Sequence, residues 1–343
     1  MSSDEGALTV GSAAQEERLR DLASELERVR RPLPRLPWPS VDIGVRLRTT
    51  PWLRRLLPAR LEISRAGRRG WLTWERWPQD RTHFSAGMEA IVGATARAGE
   101  VEQLTRAHLR ESEMQRTLFW RPWEAANMDA ATEEHLQAAL ADGRGVLLSM
   151  CHLGPYFHSA SLGPTLRRPV FMVGGSWCFA DPAPDYWGRR QVRRMEGLRK
   201  RDGRMVPATG SFAVLRALLE EGELVLMHFD VPGRHETHFL GKPVMLTTGT
   251  AKLAAMTDAF VVPLRFRREG HRVWVDAQAP LDPRAHGSVE QLHGALAAVH
   301  ERFILERPET LEDPRRAGFW EGASAAGWPL RELYVSTTTT FKP

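Results

Sequence analysis

One segment sets the architecture of this chain: Gly145-Val-Leu-Leu-Ser-Met-Cys-His-Leu-Gly-Pro-Tyr-Phe-His158. Its first part, residues 145–150, is an apolar run of strand length, which predicts a short buried strand. The strand gives way to a loop at His152, because Gly154 and Pro155 follow at once. Ligands bind an open α/β sheet at the carboxyl ends of its strands, so His152 is a candidate general base for a substrate hydroxyl. The alternative is a histidine that caps the strand or satisfies a hydrogen bond in the core.

The composition is that of an ordinary globular protein. The chain has 343 residues, 42% of them hydrophobic and 26% charged, which is enough for one large or two ordinary domains. Its two cysteines, Cys151 and Cys178, are too few for a disulfide framework and favour a reducing cytosol. The acidic start lacks the apolar core of a signal peptide, and no window approaches the roughly 18 apolar residues of a membrane span. We therefore expect a cytoplasmic protein that is soluble, or peripheral on the inner face of the cell membrane.

The charge is basic and unevenly distributed. The formal net charge is +5, a balance typical of proteins that meet nucleic acid, anionic membranes or phosphorylated substrates. The basic stretches lack any recognised nucleic-acid-reading motif, so we expect no nucleic-acid partner. Residues 46–77 carry nine Arg and two Glu, interleaved with Trp and Leu, a pattern that suits the surface of an anionic bilayer. The alternative is a pair of surface helices whose Trp and Leu side chains pack on the domain.

Four regions can be distinguished along the chain. Residues 1–14 are small and polar, which predicts a disordered tail. Residues 15–80 form a helical, basic, Trp-rich N-terminal region, residues 81–315 the main domain, and residues 316–343 a C-terminal extension. Within the main domain apolar strands alternate with helices. The predicted fold class is therefore α/β, with a mixed central sheet flanked by helices and a helical region before it.

Two carboxylates are candidates for a site with the histidine. Asp230 ends a further predicted strand, and Glu236 follows before a predicted hairpin at 235–246. The ends of different strands meet at the carboxyl edge of a sheet, where a carboxylate beside His152 would fix its tautomer and stabilise the imidazolium. The histidine would then accept the proton of a hydroxyl that attacks an activated acyl carbonyl, and backbone N–H groups after Gly154 would bind the oxyanion. The alternative for Asp230 is a structural carboxylate that caps a turn.

Several motifs resemble one known family. They are Cys-His-Leu-Gly-Pro-Tyr at 151–156 and, in order and spacing, the blocks at 222–230, 236–243, 248–257 and 261–263. Over about residues 85–310 the chain resembles the bacterial lipid A late acyltransferases and the phosphatidylinositol mannoside acyltransferases, of the lysophospholipid acyltransferase-like superfamily. The resemblance implies a glycerolipid-acyltransferase-like fold and a role in lipid metabolism. It also implies transfer of a fatty acyl chain from acyl-CoA or acyl-carrier protein to a hydroxyl of a lipid, glycolipid or metabolite, without metal or other cofactor.

The chain departs from that family at one position. The family's histidine is followed five positions later by Asp or Glu, whereas here Phe157 stands there and His158 comes next. Either Glu236 or Asp230 replaces the missing acid, or His158 modifies the site, or the activity is reduced or lost. We favour Glu236, because related mannoside acyltransferases carry an acid at its position. If the site is degenerate, the protein is a non-catalytic relative that binds lipid or acyl chains.

Further substrate contacts are expected from the loop, the hairpin and a basic stretch. The loop offers Gly154, Tyr156, Phe157 and His158, and the hairpin offers Phe239. Three arginines could bind the phosphates of a carrier-protein prosthetic arm, of coenzyme A or of a phospholipid: Arg199, Arg201 and Arg204. The alternative for these arginines is a solvated run of charge.

The remaining reactive residues are not expected to take part in catalysis or metal binding. Cys151 precedes His152, and adjacent residues of a strand point to opposite faces, so we expect the cysteine in the core. His228, His235 and His238 show no zinc-like spacing with Cys or an acid, so we expect surface or pocket roles and no metal.

Overall fold

The structure, a computed structural model, describes residues 5–121 and 126–320. The regular elements of its first part are all helices, joined by a non-helical stretch at 31–42, which confirms the helical N-terminal region. The helices are α1 (Glu5–Arg30), α2 (Ile43–Arg48), α3 (Pro51–Arg55), α4 (Ala59–Arg76), α5 (Pro78–Val92) and α6 (Val101–Phe119).

The N-terminal tail and the C-terminal extension were predicted from composition. In the structure α1 begins at Glu5 and so reaches into the segment predicted to be disordered. Alanine at positions 7, 13 and 14 has high helix propensity, which allows the helix to extend this far. Residues 1–4 lie outside the described part of the chain, as do residues 321–343 of the predicted C-terminal extension.

The main domain alternates strands and helices as predicted. Its strands are β1 (Val146–Met150), β2 (Val170–Gly174), β3 (Arg204–Pro207), β4 (Leu224–His228), β5 (Pro232–Phe239), β6 (Lys242–Leu246), β7 (Phe260–Glu269) and β8 (Arg272–Ala277). Its helices are α7 (Ala130–Ala141), α8 (Leu162–Leu166), α9 (Tyr186–Arg199), α10 (Phe212–Glu220), α11 (Gly249–Thr257), α12 (Val289–Glu306) and α13 (Ala317–Trp320).

The central sheet is mixed, which confirms the predicted fold class. Its six strands lie in the order β3-β2-β4-β1-β7-β8. All neighbours pair in parallel except β7 and β8, which form an antiparallel pair at one edge. The predicted hairpin is present as β5 and β6, which pair with each other in a separate two-stranded sheet.

Both faces of the central sheet are covered by helices. Leu147 of β1 belongs to the core that α10, α11 and α12 complete, whereas its neighbour Leu148 belongs to the core on the side of α7 and α9. A strand that is buried on both faces needs apolar residues at successive positions rather than at alternate ones. This requirement explains why β1 reads as a continuous apolar run.

The pairing of β1 with β4 determines where the candidate site lies. The two strands are parallel, and their last paired residues are Met150 and His228. His152 stands two positions beyond the first of these residues, and Asp230 two positions beyond the second. The register therefore brings the histidine and the aspartate to the same point of the carboxyl edge.

Two of the buried histidines, His108 and His300, are hydrogen-bonded inside the cores. The Nε2 atom of His300 is hydrogen-bonded to the Ser149 hydroxyl at 2.9 Å, and the Nδ1 atom of His108 to the Glu309 carbonyl oxygen at 3.1 Å. Burial lowers the pKa of each imidazole to about 4. Both side chains are therefore neutral in the folded protein at pH values where an unfolded chain would protonate them.

The free energy of unfolding is expected to fall as the pH is lowered from about 6.5 to about 5, because in this range the unfolded chain binds protons that the folded protein cannot. Each of the two histidines contributes a slope of about 1.4 kcal/mol per pH unit once the pH is well below 6.5. Urea unfolding at several pH values measures the slope, which should be shallower in the His300→Gln variant. A stability that stays constant or rises on acidification would contradict this account.

Candidate active site

His152 and Asp230 form a hydrogen-bonded pair at the edge of the sheet. The Nδ1 atom of His152 lies 2.8 Å from Oδ1 of Asp230. The aspartate is completely buried, whereas 15% of the histidine side chain is exposed. A carboxylate accepts a hydrogen bond, so Nδ1 carries the hydrogen and Nε2 carries the lone pair. The pair therefore has the tautomer that a general base requires.

The backbone around the pair holds both side chains in place. The backbone N–H of His152 donates to Oδ2 of Asp230 at 3.0 Å, so the carboxylate binds the histidine residue through both oxygens. The indole N–H of Trp320 donates to the carbonyl oxygen of Asp230 at 3.1 Å. These bonds limit the freedom of a fully buried carboxylate and fix its position against the imidazole.

Two aromatic rings flank the imidazole of His152. The ring of His228 stacks on it, with 3.9 Å between the centroids and 12° between the planes. The ring of Tyr156 meets it edge-on at 5.0 Å. The sequence indicated only a surface or pocket role for His228, although its place two residues before Asp230, at the end of a predicted strand, was a signal that it borders the site.

The loop after His152 is tied to a C-terminal segment, residues 308–320. The N–H of Gly154 donates to the carbonyl oxygen of Thr310 at 2.8 Å, and the N–H of Glu312 donates to the carbonyl oxygen of His152 at 2.9 Å. The Tyr156 hydroxyl also donates to the Glu312 carboxylate at 2.8 Å. The sequence analysis did not find Glu312, because nothing in the local pattern indicates where this distant segment docks.

Gly154 has a structural reason to be glycine. Its φ angle is +63°, and a Cβ atom there would lie 1.9 Å from the carbonyl oxygen of Phe266. Since its N–H bonds to Thr310, it does not point at a substrate. The expected substrate contact from Gly154 is thus replaced by a role in shaping the loop.

Glu236 is not the carboxylate that contacts His152. It is exposed on β5, opposite Met245, and it forms no hydrogen bond or ion pair with any residue that the structure describes. Side chains alternate along a strand, and the inward positions of β5 are occupied by Thr237 and Phe239. The preference for Glu236 as the partner of the histidine is therefore corrected in favour of Asp230.

Phe239 lies in the core rather than in a substrate site. Its side chain is fully buried, with ring centroids 5.8 Å from those of both Phe229 and Trp320. A substrate could reach it only if this core opened. The predicted substrate contact of Phe239 and the predicted catalytic role of Glu236 are corrected for the same reason: the sequence did not show which face of the hairpin the domain covers.

The three predicted phosphate-binding arginines are not equivalent. Arg201 follows α9 and lines a pocket beside the loop, together with Phe157 and His158. Arg204 is engaged within the chain, because its Nε donates to the carbonyl oxygen of Arg30 at 2.8 Å and its Nη1 pairs with Asp202 at 2.6 Å. Arg199, in the last turn of α9, does not line this pocket.

Cys151 is buried in the core, as predicted. Burial, and secondly the charge of Asp230, raise the pKa of its thiol well above the ordinary value. The thiolate is the reactive form of cysteine, so this residue is not a nucleophile here.

Among residues 5–121 and 126–320, no group of three or more His, Cys, Asp or Glu side chains is arranged to hold a metal ion. No helix in this part of the chain is both long and apolar enough to cross a bilayer.

Known acyltransferases are similar to this chain in sequence and in structure. Residues 186–311 match the family model of the bacterial lipid A biosynthesis acyltransferases. The chain resembles this family. Among solved structures, the 1-acyl-sn-glycerophosphate (LPA) acyltransferase PlsC from Thermotoga maritima is similar, with a TM-score of 0.38 and 11% identity over 73% of this chain and 97% of that one. No curated protein sequence matches the chain.

The match to the lipid A biosynthesis acyltransferases confirms the resemblance that the motifs indicated. It supports an acyltransferase of the lipid acyltransferase kind. The matched stretch contains Asp230 and the hairpin, whereas His152 precedes it. Asp230 therefore lies in the stretch that matches the family. His152 is linked to that stretch by its hydrogen bond to Asp230.

At the position of the family's acid, the side chain of Phe157 packs against other aromatic rings. The ring of Phe157 meets that of Phe119 edge-on at 5.0 Å and lies 5.2 Å from the ring of His158. His158 is buried behind it. A lipid A biosynthesis acyltransferase would carry a carboxylate at this position, but here the carboxylate beside the imidazole comes from Asp230.

Proposed function

We propose that this protein transfers a fatty acyl chain from a thioester, acyl-CoA or acyl-carrier protein, to a hydroxyl of a lipid, glycolipid or metabolite. In this proposal His152 is the general base and Asp230 its charge partner. One observation carries it: the 2.8 Å contact between His152 and the buried Asp230, at the carboxyl edge of a sheet whose later strands match an acyltransferase family. Ligands of open α/β sheets bind at such edges.

The reaction follows from the tautomer of the histidine. The Nε2 atom of His152 accepts the proton of the acceptor hydroxyl while the hydroxyl oxygen attacks the thioester carbonyl carbon. A C–O bond forms, the C–S bond breaks, and the imidazolium returns the proton to the departing thiolate, which leaves an ester and a free thiol. Asp230 stabilises the imidazolium that exists between these two proton transfers.

The release of thiol tests this proposal directly. The protein would be incubated with acyl-CoA or acyl-carrier protein, with and without hydroxyl acceptors, while a thiol-reactive dye reports the free thiol. Native mass spectrometry of the purified protein would show whether an acyl species accompanies it and would give the chain length. We expect thiol release that depends on the acceptor.

The alternative is a non-catalytic protein that binds lipid or acyl chains. It is favoured by the replacement of the family's acid with Phe157. In that case native mass spectrometry would find a bound acyl species, but no acceptor would lead to thiol release. This outcome would contradict the proposed activity.

We propose further that the protein works at an anionic membrane surface, on the cytoplasmic side. Part of the Trp-rich region supports the core, since Ile63 and Trp74 are buried. However, the helices α2 to α4 and the residues that join them also expose large apolar side chains, among them Ile43 at 77%, Leu56 at 73% and Trp52 at 64%. We call these helices and their exposed side chains the apolar patch. Such a patch, with arginines beside it, suits the interface of a bilayer with anionic lipids.

Binding to anionic vesicles is expected at micromolar or better affinity, with almost none to zwitterionic vesicles, because each basic residue near an anionic surface contributes about 1 kcal/mol. Flotation with phosphatidylcholine vesicles, with and without phosphatidylglycerol, measures this difference. Binding should weaken between low and physiological salt, because the attraction is screened. Leu56→Ser should reduce it, whereas the exposed Met256 on α11 provides a control, Met256→Ser, without effect. Negligible binding to both vesicles would contradict the membrane proposal and favour a soluble acceptor.

A further inference from the structure

Arg193 on α9 is a buried charge that lacks a hydrogen-bonding partner among the residues that the structure describes. Only 4% of the residue is exposed. Its buried Nε has no acceptor, and its guanidinium forms no hydrogen bond or ion pair with any residue of the described ranges. Glu196 attracts it through space, and burial lowers its pKa to about 10, so it remains protonated at neutral pH. An uncompensated buried charge destabilises a fold by several kcal/mol, which calls for a partner from outside the protein.

This arginine lines a pocket whose charge is entirely basic. Arg194 and Arg201 lie beside it, and the described residues that line the pocket include no Asp or Glu. The guanidinium of Arg194 lies 5.4 Å from the centroid of the Trp177 ring, and the side chain of Arg201 donates to the carbonyl oxygen of Gly197 at 3.5 Å. Arg194 forms no ion pair with a carboxylate of the described residues, and its Nη2 lies 3.4 Å from the sulfur of Met172. An anion is the ligand that this arrangement fits.

The pocket adjoins the candidate active site. Phe157 and His158 form part of its wall. The ring of Phe157 lies 5.9 Å from that of Tyr156, and the ring of Tyr156 in turn meets the imidazole of His152. A ligand group in the pocket would thus be separated from the catalytic histidine by a thin layer of aromatic side chains.

We propose that this pocket binds a phosphate group of a substrate, with Arg193 as the buried ligand and Arg194 and Arg201 beside it. The inference rests on the proposed acyl transfer, since both the thioester donor and a phospholipid acceptor carry phosphate. Guanidinium groups bind phosphate through strong, charge-assisted hydrogen bonds.

Phe157 acquires a role in this arrangement. A carboxylate at position 157, as in the related family, would stand in the wall of the pocket and could pair with Arg193. The aromatic side chain leaves the charge of the arginine available for a ligand. The absence of a carboxylate at position 157 would then explain why Arg193 has no ion-pair partner among the described residues.

Isothermal titration calorimetry with matched soluble probes tests the inference without relying on turnover. Coenzyme A is compared with pantetheine, which lacks phosphate, and glycerol 3-phosphate with glycerol. We expect one phosphorylated probe to bind at least about tenfold more tightly than its counterpart. Preference for coenzyme A would assign the pocket to the donor, and preference for glycerol 3-phosphate would assign it to the acceptor. If neither phosphorylated probe binds better than its counterpart, the inference is wrong.

Variants of Arg193 identify the residue responsible. Arg193→Met should weaken binding of the phosphorylated probe by about tenfold to a hundredfold, and Arg193→Lys should retain more of it. Arg216→Met is the matched control without effect, because Arg216 is exposed on α10 and paired with Glu220. Since Met removes an unpaired buried charge, the melting temperature of Arg193→Met should stay constant or rise. Wild-type affinity in a folded Arg193→Met protein would overturn the inference.

A second variant gives the test an independent route. Phe157→Glu should lower the affinity for the phosphorylated probe in a chain that still contains Arg193, because the new carboxylate competes with phosphate. Unchanged affinity in this variant would also count against the pocket. The measurement is separate from catalysis: thiol release with no effect of Arg193→Met on phosphate binding refutes only the pocket, whereas phosphate binding through Arg193 without thiol release refutes only the acyl transfer.

Discussion

His152→Ala is expected to lower the rate of acyl transfer by at least about a hundredfold, because no other group replaces the general base. The variant also removes the ring that donates to the buried Asp230, so part of the loss could reflect a weakened fold. His152→Asn separates the two effects, since its amide N–H can take the place of Nδ1–H against the carboxylate but cannot accept a proton.

Thiol release and melting temperature would be measured for both variants. We expect His152→Asn to keep a melting temperature close to that of the unaltered protein and to be as inactive as His152→Ala. If either variant folds and works at a nearly unaltered rate, His152 is not the base, and the proposed mechanism loses its central group.

Asp230→Asn is expected to reduce the rate by about a hundredfold or more. An amide facing Nδ1 can donate instead of accepting, which would place the hydrogen on Nε2 and remove the lone pair that the reaction needs. The acidic limb of the pH–rate profile should move to lower pH, because the imidazolium loses the charge that stabilises it. Glu236→Gln is the matched control and should be neutral, since Glu236 is exposed on β5.

Phe157→Glu completes this comparison. Since Asp230 already occupies the hydrogen-bonding position at Nδ1, a second carboxylate should give no gain in rate. A large gain would mean that the present site lacks the acid it needs, and a loss of activity in Glu236→Gln with full activity in Asp230→Asn would reverse our assignment of the charge partner.

The sequence was informative wherever local rules determine the structure. Short apolar runs predicted the strands, and their abrupt ends placed His152 and Asp230 at one sheet edge. Both predictions depend only on strand length, on burial and on the parallel arrangement of an α/β sheet. The meeting of the two side chains then follows from the register of β1 and β4.

Predictions that required knowledge of tertiary packing were less successful. Glu236 and Phe239 lie on the same strand. To predict which of the two side chains is exposed and which is buried requires knowing which face of the hairpin the domain covers. Arg193 belongs to a basic helix in which most arginines look alike in sequence, and only packing shows that this one is buried without an ion pair. Glu312 and Trp320 reach the site from a distant segment, whose docking no local pattern encodes.

The C-terminal segment also has a consequence for the time at which the protein becomes competent. A ribosome makes His152 and Asp230 long before it makes Glu312 and Trp320, which bond to the loop and to the aspartate. The stretch that matches the family ends at residue 311, so a nascent chain of that length already carries the recognisable motifs. It does not yet carry Glu312 or Trp320, which provide further hydrogen bonds to the loop and to the aspartate. In the proposed mechanism, the site would therefore reach its final geometry only after residues 312–320 have been made and have folded back onto the loop.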